Sequence, residues 1–182
     1  MKIILIGSST GGPRIIFEIF ADMPVLSSAV IIVQHMPAST TPRLARRLTQ
    51  LTKNEIIIPD DQTPIRHGCV FLALGDKHLT LENNELIHLN YLEKVNFVRP
   101  SIDVAMLSLY SDIRHKYLGI ILTGMGIDGA QGLSHMKEIG ATTVVQDPAT
   151  CTIRSMPDAA LKTDHVDLTL QPDKIRELIK KF

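Results

Sequence analysis

The chain has 182 residues, with 19 basic and 19 acidic side chains, and therefore carries no formal net charge. Hydrophobic residues make up 45% and charged residues 21%, a balance typical of one globular domain that excludes a disordered chain. The neutral charge excludes a strong overall attraction to nucleic acid or to an anionic membrane surface. No apolar run approaches the roughly 20 residues of a membrane helix, so membrane insertion is not expected.

The cysteine content indicates a reducing compartment. Only Cys69 and Cys151 occur, far apart and without CxxC spacing, which suits the cytosol and excludes a cysteine-based zinc site. The apolar run at the N-terminus is too short for a signal peptide. We therefore expect a single cytoplasmic domain over residues 1–182. One basic cluster, Arg43, Arg46 and Arg47, is either a solvated helix face or a local binding patch, and the solvated face is favoured.

Short apolar runs alternate with segments of helical spacing along the whole chain. In chain order, the pattern predicts a strand at 2–6, a helix at 13–21, a strand at 29–34, a helix at 42–51, strands at 55–58, 69–74, 79–82 and 85–89, a helix at 102–115, a strand at 118–122, a helix at 128–139, a strand at 142–146, and helices beginning near Pro157 and Pro172.

This alternation predicts the α/β class, with a three-layer, doubly wound and mostly parallel sheet. The pair Asn83-Asn84 separates two short strands and predicts an antiparallel hairpin in the middle of the chain. In sheets of this kind, ligands bind beyond the carboxyl ends of the strands. Three of those ends carry residues that can do chemistry.

The first strand ends in GSSTG at residues 7–11, which fits the G-x-S-x-G turn that lifts a serine hydroxyl above a sheet. The helix that follows would offer backbone N–H groups to a negatively charged oxygen. A phosphate-binding or purely structural turn explains this motif alone equally well. Both common nucleotide-binding fingerprints, however, are missing from this turn.

The second strand ends at His35, and Asp128 follows a later strand within TGMGIDGA at residues 123–130. A serine nucleophile needs a base within hydrogen-bond reach, and imidazole can take and return a proton near neutral pH. Asp128 would either orient that imidazole or cap the helix that follows it, and the two roles are compatible. Together the three strand ends predict a Ser-His-Asp triad, in a chain order that differs from that of α/β-hydrolases.

Three segments carry a family resemblance: IGSSTGGP at 6–13, VQHMP at 33–37 and LTGMGIDGA at 122–130. They resemble the signature segments of the catalytic domain of the chemotaxis receptor methylesterase family, CheB. Supporting segments occur in the same order: GDKHL at 75–79, RPSID at 99–103, QDPAT at 146–150 and MPDAA at 156–160. The resemblance implies hydrolysis of glutamate γ-methyl esters on the cytoplasmic helices of chemoreceptors, and deamidation of some receptor glutamines.

The resemblance also implies the site residues. The nucleophile corresponds to Ser9 rather than Ser8, the base to His35 and the orienting carboxylate to Asp128. Thr10 and Met125 correspond to active-site neighbours, and the Met125 backbone N–H is the expected donor to the oxyanion. This chemistry is acyl transfer through a serine ester and requires no metal or organic cofactor.

The sequence departs from the family pattern at the expected rim of the cleft. Ile127 stands where a polar residue, often Asn, is usual, Leu74 stands where Pro is common, and Ile-Arg-Ser at 153–155 replaces a segment that normally ends in Gly. The family normally has a phosphorylatable receiver domain before this domain, and we expect none before Met1. We therefore expect activity that is either constitutive or controlled by a separate receiver protein.

Three other functions stay open on the sequence. The chain could be an inactive module that docks receptors or another protein, an esterase acting outside chemotaxis, or a phosphate-binding domain. The presence of Ser, His and Asp together argues against the first and third, because binding alone does not need all three. Met36, Met125 and Met156 are either an adaptable apolar rim of the cleft or ordinary core residues.

Overall fold

The computed structural model describes residues 1–182. Ten strands run over Lys2–Ser8 (β1), Ala29–Gln34 (β2), Glu55–Ile57 (β3), Thr63–Pro64 (β4), Cys69–Leu72 (β5), His78–Glu82 (β6), Leu86–Asn90 (β7), Lys116–Ile121 (β8), Thr142–Gln146 (β9) and Leu168–Leu170 (β10). Six α-helices run over Gly12–Phe20 (α1), Thr41–Thr49 (α2), Ile102–Leu107 (α3), Ala130–Glu138 (α4), Ser155–Leu161 (α5) and Pro172–Lys181 (α6).

Seven strands form one parallel sheet in the order β10-β9-β8-β1-β2-β5-β3. The central strand β1 pairs in parallel with β2 on one side and with β8 on the other. After β1, the chain adds β2, β3 and β5 on one side of it. It then crosses over and adds β8, β9 and β10 on the other side. The order of the strands therefore reverses between β1 and β8, the type of position at which α/β sheets form ligand sites.

Two apolar layers cover the two faces of this sheet, because alternate residues of each strand point in opposite directions. Even-numbered residues of β1, such as Ile4 and Ile6, pack with α1, α2 and α6. Odd-numbered ones, such as Ile3 and Leu5, pack with α3, α4, α5 and the small second sheet. The predicted three-layer, doubly wound fold is confirmed.

The second sheet has three antiparallel strands in the order β4-β7-β6. The hairpin between β6 and β7 turns at Asn83 and Asn84, whose φ values of 53° and 54° are the left-handed values that a tight hairpin turn requires. The Asn84 amide donates to the Tyr110 carbonyl at 3.0 Å and to the Tyr117 hydroxyl at 2.9 Å, which ties the turn to the body of the domain. The predicted hairpin is therefore present.

All but one of the predicted elements lie within two residues of their observed bounds. The exception is the helix predicted to reach residue 115, which ends at Leu107. The Ser108 hydroxyl donates to the Ala105 carbonyl at 2.7 Å and accepts from the Leu81 N–H at 2.9 Å, and such local bonds compete with helix continuation. Strands β4 and β10 were not predicted, because two or three residues are too few to show alternation.

The helix predicted to start at 128 begins at Ala130 instead. Gly129, with a φ of 93°, has a left-handed conformation that cannot belong to the helix. No helix of the structure is both long enough and apolar enough to cross a membrane.

The core position Ile31 provides a test of this packing. It lies on the central strand β2 and is fully buried. We expect Ile31→Ala to lower the free energy of unfolding by about 2–5 kcal/mol, because it removes buried methylene groups and leaves a cavity. Urea denaturation measures this change. The matched control is Ile113→Ala at a fully exposed position, where the change should stay within about 0.5 kcal/mol; equal losses in the two variants would contradict the packing.

Candidate active site

The ends of β1, β2 and β8 are held side by side by backbone hydrogen bonds. In the parallel register, Ser8 pairs with Gln34. Just beyond, the His35 N–H donates to the Ser8 carbonyl at 3.0 Å, and the Ser9 N–H donates to the Thr123 carbonyl at 3.0 Å. The segments that follow these three strands therefore start from fixed and adjacent positions.

Strand alternation also determines the face on which the predicted residues lie. Odd-numbered residues of β1 and β2 face the layer of α3, α4 and α5. Continuing this alternation by one residue puts Ser9 and His35 on that same face. Ser9 is partly exposed, as a nucleophile that meets a substrate must be.

His35 and Asp128 are in direct contact. The Nε2 atom of His35 lies 2.8 Å from Oδ2 of Asp128, and their side chains are only 9% and 3% exposed. An ionised carboxylate can only accept, so Nε2 carries the proton that points to Asp128. Nδ1 is then the ring nitrogen left to accept a proton from a nucleophile. Two of the three predicted triad residues are thus brought together across 93 positions of sequence.

The start of α3 supplies most of the other partners of Asp128. Oδ2 accepts from the Ile102 N–H at 2.6 Å, while Oδ1 accepts from the Ser101 hydroxyl at 2.7 Å and from the Asp103 N–H at 3.3 Å. The Asn96 amide donates to Oδ1 at 2.9 Å. Asp128 therefore binds the N-terminus of α3 and makes no capping bond to α4, the helix that follows it.

These contacts determine the charge of Asp128. Its burial alone would raise the pKa of the carboxyl group, but the hydrogen bonds from His35 and the other donors outweigh burial and hold the pKa below its ordinary value. The group therefore stays ionised at neutral pH. It can stabilise a positive charge on the imidazole when His35 takes up a proton.

Asp103 makes the reciprocal contact. Its Oδ1 accepts from the backbone N–H groups of Gly129 at 2.9 Å and Gly132 at 2.7 Å, at the start of α4. Asp128, which precedes α4, thus binds the N-terminus of α3, and Asp103 of α3 binds the N-terminus of α4. Negative charge is stabilised at both positions. Burial raises the pKa of Asp103, and the nearby charge of Asp128 raises it further.

Two backbone donors near Ser9 have no partner within the protein. The N–H groups of Thr10 and Met125 make no intramolecular hydrogen bond, and both residues are exposed. The Ser155 hydroxyl braces the segment around Met125, since it donates to the Gly124 carbonyl at 3.0 Å and accepts from the Gly126 N–H at 3.1 Å. Unpaired backbone N–H groups of this kind can donate to a negatively charged oxygen.

Known proteins resemble this chain over nearly its whole length. Residues 4–179 match the CheB methylesterase family. The chain belongs to the CheB methylesterase family. It is 38% identical over 187 residues to the protein-glutamate methylesterase/protein-glutamine glutaminase of Hydrogenovibrio crunogenus, a match that covers 99% of this chain and 50% of that protein. The protein of the same name from Thermotoga maritima is 34% identical, and the match covers 98% of this chain and 54% of that protein.

The fold is that of the CheB catalytic domain. The crystal structure of the Thermotoga maritima CheB methylesterase catalytic domain matches with a TM-score of 0.91 and 33% identity, covering 99% of this chain and 97% of that domain. The chain spans about half the length of the curated CheB relatives that it matches.

Sequence reasoning missed Gln34, which joins the two strands below the site. Its side-chain oxygen accepts from the Ser8 hydroxyl at 2.6 Å, and its amide nitrogen donates to the carbonyls of Ser9 at 2.9 Å and His35 at 3.0 Å. A Cβ on Gly12 would lie 2.1 Å from that side-chain oxygen, so only glycine fits there. The sequence contained one signal for Gln34: a polar residue directly after the buried run AVIIV must find hydrogen-bond partners inside the protein.

The three methionines of the suggested apolar rim have different environments. Met125 is 67% exposed beside the site, Met36 is half-buried, and Met156 is completely buried beneath Gly124. Met156 is therefore a core residue. A Cβ on Gly124 would lie 2.2 Å from the sulfur of Met156. Glycine at this position therefore allows the backbone of this CheB loop to pack directly on the Met156 side chain.

Three concave surfaces adjoin the site, and one of them, a groove of about 570 Å³, is lined by Asn96, Asp103 and Ile127. A depression of about 210 Å³ is lined by His35, Met36, Pro37, Asp76, Lys94, Phe97, Val98, Arg99 and Pro100. A groove of about 560 Å³ between α1 and α2 shares Met36 with it and is edged by Arg43, Arg46 and Arg47. A binding role for this basic cluster stays a prediction. No group of three His, Cys, Asp or Glu side chains is placed to hold a metal ion.

The role assigned to Gln34 can be tested through stability. Gln34→Ala leaves the buried Ser8 hydroxyl and the His35 carbonyl without their side-chain partner, whereas the Ser9 carbonyl keeps its bond from the Gly12 N–H. Each buried group left unpaired costs about 1–3 kcal/mol. We therefore expect the free energy of unfolding, measured by urea denaturation, to fall by at least about 2 kcal/mol. The control is Gln50→Ala, where the side chain contacts only the exposed Arg47. If both variants are equally stable, Gln34 does not hold the strand ends together.

Proposed function

We propose that this chain hydrolyses the γ-methyl esters of glutamate side chains in chemoreceptors, with Ser9, His35 and Asp128 as the catalytic triad. The observation that supports this most directly is the 2.8 Å contact between His35 and Asp128 beside the turn that carries Ser9. Relatives in the same family carry the name of this activity.

The same site would also release ammonia from glutamine side chains, because the names of these relatives include glutaminase. An amide and a methyl ester present the same γ-carbonyl carbon to the nucleophile. We further propose that the substrate glutamates lie on cytoplasmic helices of chemoreceptors, that the chain works in the cytoplasm, and that a receiver protein is its regulatory partner.

The first half of the reaction forms a covalent ester. Nδ1 of His35 takes the proton of the Ser9 hydroxyl while Oγ attacks the γ-carbonyl carbon of the methylated glutamate. The carbonyl oxygen becomes negatively charged and accepts hydrogen bonds from the free N–H groups of Thr10 and Met125. One such donor typically lowers the barrier by about 3 kcal/mol. His35 then gives its proton to the departing methoxide, which leaves as methanol.

The second half regenerates the enzyme. His35 takes a proton from a water molecule, whose oxygen attacks the carbonyl carbon of the glutamyl ester on Ser9. The tetrahedral intermediate collapses, the proton returns from His35 to Ser9 Oγ, and the glutamic acid side chain is released and loses its remaining proton to solvent. Asp128 stays ionised throughout, so it stabilises the imidazolium in both halves and keeps the proton of the neutral ring on Nε2.

The first test is methanol release from methylated chemoreceptor by wild type and Ser9→Ala. We expect the variant to be slower by at least about a thousandfold, because the covalent intermediate cannot form. The control is Ser111→Ala, an exposed serine outside the site, which should match wild type. Ammonia release from a receptor with glutamine at the same sites tests the second activity. A wild type no faster than Ser9→Ala in both assays would rule out the hydrolase and favour a docking role.

The second test replaces the triad carboxylate. We expect Asp128→Asn to lower kcat for methanol release by about a thousandfold or more, because an amide neither stabilises the imidazolium nor enforces the tautomer with Nε2–H. Thermal unfolding shows whether the variant is folded. A folded Asp128→Asn protein with wild-type kcat would be incompatible with the proposed triad.

A further inference from the structure

We propose that Asn96 is a positioning residue of this reaction, which orients the Asp128 carboxylate toward His35 by bridging it to Asp103. This inference rests on the proposed function, since the role of Asp128 in hydrolysis is itself proposed. Asn96 lies in the connection between β7 and α3, outside the three strand ends that carry the triad.

One amide nitrogen serves both carboxylates. Nδ2 of Asn96 lies 2.9 Å from Oδ1 of Asp128 and 2.8 Å from Oδ2 of Asp103. An amide NH₂ group has two hydrogens, so it can donate to both oxygens at the same time. Asp128 and Asp103 are each about 2% exposed, so these two carboxylates depend on hydrogen bonds from the protein.

The bridge leaves the correct oxygen for His35. Asn96 and the Ser101 hydroxyl both donate to Oδ1 of Asp128, whereas His35 contacts Oδ2. Rotation of the carboxylate would break these two bonds and the longer one, at 3.3 Å, from the Asp103 N–H to Oδ1. Asn96 therefore acts on the reaction through Asp128, and it need not touch the substrate.

The bridge also controls charge at the site. The Asn96 hydrogen bond lowers the pKa of Asp103 and of Asp128, so both carboxyl groups lose their protons more easily. The other ionisable groups around the bridge are His35, His78 behind Ser101, and Asp158 and Lys162 on the α5 side. Asp76, Lys94 and Arg99 line the depression that also contains His35. Of these seven groups, only His35 hydrogen-bonds to either carboxylate. The amide is thus the only neutral side-chain donor shared by the two charges.

The backbone explains why asparagine suits this position. Asn96 and Phe97 have φ values of 52° and 66°, in the left-handed region that asparagine adopts more readily than most residues. Paired hydrogen bonds between Val95 and Val98, at 3.2 and 3.0 Å, close this turn. The turn directs the Asn96 amide inward, while Phe97 is 96% exposed beside the depression that contains His35.

Asn96→Asp is the decisive variant. Aspartate has the size of asparagine and also adopts the left-handed backbone conformation, but it replaces the amide donor by a negative charge. Asn96→Gly keeps the left-handed backbone and removes only the amide. The matched controls are Asn83→Asp and Asn83→Gly, since Asn83 is an exposed asparagine with a φ of 53° in the distant hairpin turn. Methanol release is measured from pH 5 to 9, with the active fraction counted by a serine-reactive fluorophosphonate.

We expect Asn96→Asp to lower kcat per active site by tenfold to a hundredfold, with KM within twofold of wild type. The acid limb of the kcat profile should move to higher pH, because the added negative charge makes the imidazolium harder to deprotonate. Asn96→Gly should give a smaller loss, and both Asn83 variants should match wild type. A merely structural role would reduce the active fraction and leave the pH profile of the remaining sites unchanged, which would overturn the proposal.

A measurement without substrate separates this inference from the proposed function. The ring resonances of His35, followed by NMR, should titrate with a higher midpoint in Asn96→Asp than in wild type. An unmoved midpoint would overturn the role of Asn96 even if wild type releases methanol. A wild type without methanol release would instead overturn the proposed function, and with it any catalytic role of Asn96.

Discussion

The buried charge of Asp128 is the interaction on which the site depends. An ionised carboxylate that loses its water must be hydrogen-bonded, or it becomes neutral. Here the donors come from the end of β2, from the start of α3 and from the connection that carries Asn96. Each donor belongs to a different part of the chain, so one charge holds all of these segments in place. The base of the proposed reaction is positioned by the same bonds that stabilise its neighbourhood.

Hydrogen bonds from two buried glutamine side chains also align the strand ends of the parallel sheet. Gln34 joins the segments after β1 and β2. Gln146, at the end of β9, accepts from the Thr123 N–H at 2.9 Å and donates to the Thr150 carbonyl at 3.2 Å. An amide has both a donor and an acceptor end, so it can replace the backbone partner that a strand loses where pairing stops. The carboxyl edge of the sheet is thereby kept rigid, as a site that must align several groups requires.

The surface around the site contrasts with this polar interior. Phe97, Met125 and Ile127 are each more than 60% exposed, although they lie next to the buried hydrogen bond between His35 and Asp128. Exposed apolar side chains that cluster at a site are typical of a surface that binds a partner. Two departures from the family pattern have different consequences: Ile127 adds apolar area to this rim, whereas the Ser155 hydroxyl braces the loop below it. With no net charge, the chain as a whole exerts no long-range electrostatic attraction on a charged partner.

The amino-acid sequence by itself determined the fold class, the hairpin at Asn83-Asn84 and the candidate residues Ser9, His35 and Asp128, because strand periodicity and strand-end motifs are local properties of the chain. The tertiary structure alone decided that Asp128 serves α3 instead of its own helix, that Gln34 joins two strand ends, and that Asn96 bridges two carboxylates. Apart from the bond between Asn96 and Asp103, the bonds that make these connections join residues 25 to 93 positions apart. No local pattern encodes such a pairing, because the need for a hydrogen-bond partner arises only when folding removes these groups from water.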